Sequence, residues 1–164
     1  MILACRNLNK AEEAAKEILD AEPEGQVSIK YLDNLKLDSI RAFAKEILAE
    51  ETKIDVLINN AGIKGDFFKL TVDGFEEIYQ VNYLAPFLLT ELLLPLLKRS
   101  SPSRVINVGS LSYIFRGCNP DTLADDFKSR FERPNWRYCE TKLLLIMWTR
   151  ALHREVQAAG TSFS

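Results

Sequence analysis

The sequence predicts an α/β fold, a doubly wound parallel sheet with helices on both faces, and three observations carry that expectation. Strand signals and helix signals alternate along the chain from its first residues to its last long helix. The strand candidates are short apolar runs, such as Val56-Leu57-Ile58, rather than strict polar–apolar alternation, which is how strands buried on both faces read. The 164 residues, 47% hydrophobic, suit one ordinary core of this kind. There is no internal repeat, no low-complexity tract and no second domain, so residues 1–164 read as a single unit.

The elements follow in order. Ile2–Cys5 is a short apolar strand. Asn9, with Glu12 three residues on, resembles a capping box for a helix whose Ala11, Ala14, Ala15, Ile18 and Leu19 recur at helical spacing. Pro23-Glu24-Gly25 turns the chain into a second strand, Val27–Leu32. Ser39 is the expected cap of the next helix, with an apolar stripe of Ile40, Phe43, Ile47 and Leu48. Ile54–Ile58 is the third strand. Thr71–Lys98 is mostly helical, with a kink expected at Pro86, where a backbone donor is missing. Arg104–Val108 is the fourth strand, Gly117–Arg133 is irregular, and a last helix runs from Pro134 to Ala158 before Gly160.

Composition excludes several classes of function. A net charge of -2 leaves no basic footprint for nucleic acid. Three cysteines, Cys5, Cys118 and Cys139, without metal-ligand spacing fit a reducing compartment, and the expected location is cytoplasmic. With His153 the only histidine, a His-based triad or His-rich metal site is not expected. The greasiest stretch, Tyr83–Leu97, is interrupted by Pro86, Thr90, Glu91 and Pro95 and reads as too short for a membrane span. Its leucine-rich face, with Leu143–Trp148, reads as core or as the surface of a homodimer.

Two motifs carry chemistry. Asn59-Asn60-Ala61-Gly62 ends the third strand, where small residues let the backbone approach a neighbour or a cofactor. Tyr138-Cys139-Glu140-Thr141-Lys142 sets a phenol and an amine four residues apart, on one face of a helix. A free phenol holds its proton to about pH 10, and a nearby ammonium favours its ionised form. Tyr138 is therefore a candidate general acid/base and Lys142 its tuner. Of the five tyrosines only Tyr138 has a lysine four residues on.

With Ile2-Leu3-Ala4-Cys5-Arg6-Asn7, Thr71-Val72-Asp73-Gly74-Phe75-Glu76, Val81-Asn82-Tyr83-Leu84 and Val105-Ile106-Asn107-Val108, these motifs resemble the short-chain dehydrogenase/reductase family, and within it the retinol dehydrogenase-like branch. The resemblance implies a Rossmann-like sheet and an NADP(H)-dependent oxidoreductase acting on a hydrophobic alcohol, aldehyde or ketone. It implies catalytic roles for Asn82, which would hold a water of the proton relay, for Ser110, which would orient the carbonyl, and for Tyr138 and Lys142. Lys142 would also bond the nicotinamide ribose. Ser112 is a rival for Ser110, though the first residues beyond a parallel strand face the ligand crevice. The cofactor-binding set is Arg6, Asp33, Asn60, Ala61, Gly62, Tyr138 and Lys142. Arg6 would pair with a 2′-phosphate, favouring NADP(H) over NAD(H), and Asp33 would lie near the adenine. Cys139 reads as packing.

The chain also departs from the family pattern. The glycine-rich turn that cradles a pyrophosphate at a helix N-terminus is not among its residues, whose first glycine is Gly25. The resemblance covers only the middle of a complete member, so the expected sheet is incomplete, lacking its first and last strands. The first of these would be the central strand, leaving Ile2–Cys5 and Val27–Leu32 unbridged to Ile54–Ile58 and Arg104–Val108. Two readings stand: an oxidoreductase, or a catalytically inactive truncated fragment serving at most as a dimerising module.

Overall fold

A computed structural model describes residues 1–65, 67–115 and 134–158. Strand β1 (Ile2–Cys5) pairs in parallel with β2 (Ser28–Tyr31), with Ile2 opposite Ser28 and Cys5 opposite Tyr31. Helix α1 (Leu8–Ala21) makes the crossover and packs on both strands. Its cap is Asn7, not the expected Asn9: the Asn7 side chain accepts Lys10 N–H at 3.1 Å. Helix α2 (Leu37–Glu50) leads to β3 (Val56–Asn59), which pairs in parallel with β4 (Arg104–Asn107), Val56 opposite Arg104 and Asn59 opposite Asn107.

Between β3 and β4 the chain forms α3 (Glu77–Tyr79), a π-helical segment (Gln80–Leu84) and α4 (Ala85–Arg99) as one continuous rod. The expected helix from Thr71 begins six residues late. Thr71–Glu76 is instead a turn closed by an antiparallel bridge between Leu70 and Glu76, with Gly74 at φ 81°. Pro86 lies in the first turn of α4, directly after the π segment. The wider i→i+5 ladder gives up a regular hydrogen bond beside the residue that lacks a donor, so the proline is accommodated there.

Ser39 does not cap α2. Its hydroxyl instead accepts Asp33 N–H, from the chain before the helix, at 3.0 Å. The first N–H of α2, that of Leu37, goes to Asp73 Oδ2 at 2.9 Å. Gln80, fully buried, binds the same carboxylate oxygen at 3.0 Å and the Asn34 carbonyl at 3.2 Å. A 3-10 turn (Leu111–Phe115) follows β4, and α5 (Pro134–Ala158) closes the described chain with the expected bounds. The expected irregular stretch Gly117–Arg133, Cys118 and the stop at Gly160 lie outside the described residues.

One apolar cluster joins α2, α4 and α5: Ile40, Phe43 and Ile47, then Leu89, Leu93, Leu96 and Leu97, then Leu145, Trp148 and Leu152. Ile2, Leu57 and Val105 press on it from the strands. The leucine-rich face of α4 is therefore core. Glu77–Arg99 is nonetheless a helical stretch of 23 residues, long and apolar enough by length and composition to cross a membrane, longer than the interrupted run suggested. Of its most apolar window, 61% is buried inside the fold.

The described strands form two separate two-stranded sheets, β1–β2 and β3–β4, as the missing bridge predicts. The architecture is that of a doubly wound Rossmann-like α/β fold with its sheet incomplete.

Candidate active site

Parallel strands in a doubly wound sheet present their carboxyl ends to the ligand crevice. Asn60, Ala61 and Gly62 leave β3 there as an exposed turn, and Val108, Gly109 and Ser110 leave β4. Two helices bring side chains to these turns. The π segment delivers Asn82, and α5 delivers Tyr138 and Lys142 on one face.

Asn82 is buried, 1% exposed, and its amide clasps the turn after β3. Its Oδ1 accepts Ile63 N–H at 2.7 Å, while Nδ2 donates to the Ile63 carbonyl at 2.9 Å and to Thr141 Oγ1 at 3.3 Å. Thr141 in turn donates to the Tyr138 carbonyl at 2.8 Å. The asparagine thus ties the Asn-Asn-Ala-Gly turn to the tyrosine–lysine helix. Gly62 stands at the centre: a Cβ there would lie 3.4 Å from Asn82 Oδ1 and 3.6 Å from Lys142 Nζ. Any larger residue would fill the space in front of the amine.

Lys142 is 4% exposed. Its Nζ donates to the Val108 carbonyl at 2.8 Å and lies 5.7 Å from the centre of the Tyr138 ring. Burial holds the amine below the ordinary lysine value. An ammonium with one proton committed to a carbonyl keeps two for a hydroxyl-bearing ligand. The donor set therefore fits a group such as a sugar diol, with Gly62 leaving room for it.

Ser110 and its rival Ser112 are hydrogen-bonded to each other. Ser112 donates its hydroxyl to Ser110 Oγ at 2.8 Å, and its N–H to the same oxygen at 3.2 Å. A hydroxyl that accepts twice keeps its own proton to donate. Of the other tyrosines near this end of the molecule, Tyr79 is pushed up to about 12 by burial, and burial also raises Tyr83. Both are poor candidates for proton transfer near neutrality.

The structure thus joins Gly62, Asn82, Tyr138 and Lys142. Arg6 and Asp33 belong to the other strand pair, and no described contact links them to that group. Arg6 is exposed just beyond β1. Asp33, 5% exposed, accepts Leu35 N–H at 3.1 Å through Oδ1, and Lys36 Nζ stands 3.9 Å from its Oδ2. Sequence reasoning missed Thr141 and the Val108 carbonyl, although both sit inside motifs it had named. It also missed a fully buried ion pair at the start of α5, where Arg137 Nη1 donates to Glu76 Oε1 at 3.2 Å. A cavity of about 390 Å³ lies elsewhere, between β4 and the later turns of α5, lined by Val105, Asn107, Thr149, Leu152 and His153 among others.

The short chain dehydrogenase family model matches residues 1–117, and the chain belongs to that family. It is retinol dehydrogenase-like: it is 41% identical over 162 residues to human Retinol dehydrogenase 13, which covers 99% of this chain and 48% of that protein. The chain thus spans about half the length of the curated relatives it matches. Among solved structures, an uncharacterised protein from Mycobacterium paratuberculosis superposes with a TM-score of 0.81 at 38% identity, covering 99% of this chain and 55% of the other. A metagenomic short-chain oxidoreductase in complex with NADP gives 0.75 at 24%, covering 99% and 65%.

Proposed function

We propose that this chain carries the catalytic face of an NADP(H)-dependent oxidoreductase that interconverts a hydrophobic alcohol with its aldehyde or ketone. The observation that carries it is the convergence of Gly62, Asn82 and Lys142 beside Tyr138. When bound, the nicotinamide supplies or accepts the hydride. Tyr138 gives the proton to the developing alkoxide in reduction and takes it back in oxidation. Ser110, accepting from Ser112, turns its own proton to the carbonyl oxygen and orients it. Lys142 offers its two uncommitted protons to the ribose hydroxyls and its charge to the phenolate. Asn82 holds the turn that frames them and is the candidate for the water of the relay.

Asn60, Ala61 and Gly62 would flank the nicotinamide half, Asp33 the adenine, and exposed Arg6 the 2′-phosphate. The metagenomic relative's complex with NADP supports that cofactor choice. A hydrophobic substrate is supported by the segments that leave β3 and β4, where Phe67 is 78%, Leu111 79% and Ile114 62% exposed.

Thermal unfolding with and without saturating NADPH tests cofactor binding. An upward shift is expected, about 2.7 kcal/mol of added stability at a hundred times Kd. A transition blind to NADPH overturns the proposal and leaves the inactive reading. In an active preparation, Tyr138→Phe should abolish turnover and leave the NADPH shift in place; unchanged turnover would remove the acid/base role.

A further inference from the structure

Beneath the β3–β4 sheet runs a ladder of amides and hydroxyls that none of the roles above employs. Asn59 Nδ2 donates one proton to Thr90 Oγ1 of α4 at 3.1 Å and the other to Asn107 Oδ1 at 2.7 Å. Asn107 Nδ2 donates to Thr149 Oγ1 of α5 at 2.8 Å, and the Thr149 hydroxyl donates to the Leu145 carbonyl at 2.6 Å. From Asn59 to α5 every bond points the same way, so each group's donor role is set by the one before it. Thr90 is fully buried and the other three are half-buried.

We infer that this ladder is the register device of α5: Asn59, Asn107 and Thr149 fix the helix along β4 so that Lys142 meets the Val108 carbonyl beside Gly62. Lys142 and Thr149 are seven residues apart, two turns, so both face β4. Their partners, Val108 and Asn107, are neighbours on the chain, in reverse order, so α5 runs opposite to the strand. The helix advances about 10 Å over that interval and the strand about 3.3 Å, and the extended stem of Lys142 covers the difference. Arg137 and Thr141 bond Glu76 and Asn82 near the start of α5, and around Thr149 the interface residues Leu145, Trp148 and Leu152 are apolar. Apolar burial is non-directional and tolerates an axial slide. A slide of one turn would set Leu145 or Leu152 before Asn107 and leave its amide unpaired, which only a side chain with Thr149's hydroxyl prevents. These are positioning residues and touch no reacting atom. Their importance for catalysis rests on the reading of Lys142 given above; the placement itself does not.

The test is isotope-edited NMR of the lysine amines in the full chain, with Lys142 identified through Lys142→Arg. In the parent protein Lys142 should titrate below the exposed lysines, as its burial requires. Thr149→Val and Asn107→Ala should each move that midpoint toward the exposed group, and Thr149→Ser should restore it. Ile47→Val, in the core away from the ladder, should lower thermal stability and leave Lys142 where it was. A Lys142 midpoint unmoved in both ladder variants overturns the inference. So does loss of folding in both while Thr149→Ser folds, because the ladder would then hold the fold and not the register. A missing NADPH shift with the expected NMR pattern would sink the proposed function alone.

Discussion

Lys142 shows at the scale of one residue how a site opposes stability. Burial lowers its pKa from the ordinary 10.5, so the charged amine is less favourable in the folded state than in the unfolded chain. A base with a depressed folded-state pKa contributes stability that is present above the unfolded value and is lost as pH falls through the folded one. Near neutrality the charge is therefore a cost. Lys142→Met should raise the melting temperature at pH 7, with the gain shrinking as pH approaches 10.5; a melting temperature that falls at every pH would show that the bond to Val108 outweighs burial. Arg6→Ala should weaken NADPH more than NADH, since a guanidinium pairs bidentately with a phosphate and gains little from a hydroxyl. Equal losses measured by titration would remove the 2′-phosphate role. The pairing of Tyr138 with Lys142 was legible in the sequence because a helix brings residues four apart together. The clasp of Asn82 was not, because its partners Ile63 and Thr141 are 19 and 59 residues away.

At the scale of elements, strand positions and the bounds of α5 followed from apolar runs and turn residues, while caps did not. Local reasoning assigned Ser39 to α2 and Asn9 to α1; the observed caps are Asp73, 36 residues distant, and Asn7. The start of α5 is likewise held from afar, by Glu76. Burial raises the Glu76 carboxyl, against the pull of the Tyr79 N–H and of Arg137. Arg137 is fully buried, and its Nε and Nη2 find no partner among the described residues. Removing the carboxylate would leave a buried guanidinium uncompensated, so Glu76→Ala should cost about 3–5 kcal/mol, read from urea denaturation. Glu76→Gln, which keeps an acceptor for Tyr79 N–H, should cost less. Equal costs would assign the whole loss to the missing charge, whereas a Glu76→Gln cost near zero would mean that the pair's charge is not what holds α5.

For the whole molecule, the decisive feature is the division of the strands. Helices cover one face of β3–β4 with Leu57 and Val105 inward, and the alternate residues remain open: Val56 is 46%, Ile58 58%, Ile106 44% and Val108 37% exposed. Unpaired strand edges beside an open apolar face favour association. Ile58→Lys should suppress concentration-dependent light scattering with little change in stability, within about 0.5 kcal/mol, as for other exposed substitutions. Scattering unchanged by the lysine would show that this face is not the sticky one.

By itself the sequence determined the α/β class, the strand–helix order and the placing of Tyr138 beside Lys142 on one helix face, because these depend on periodicity and near neighbours. The separation into two sheets also followed from it, once the family's strand pattern was recognised. Only the tertiary structure decided what holds the site: the Asn82 clasp, the Val108 acceptor, the Glu76–Arg137 pair and the Asn59–Asn107–Thr149 ladder. Each is a buried polar group satisfied by a partner far along the chain. Burial obliges such a group to find a partner, but which partner is a matter of packing, and no local pattern records it.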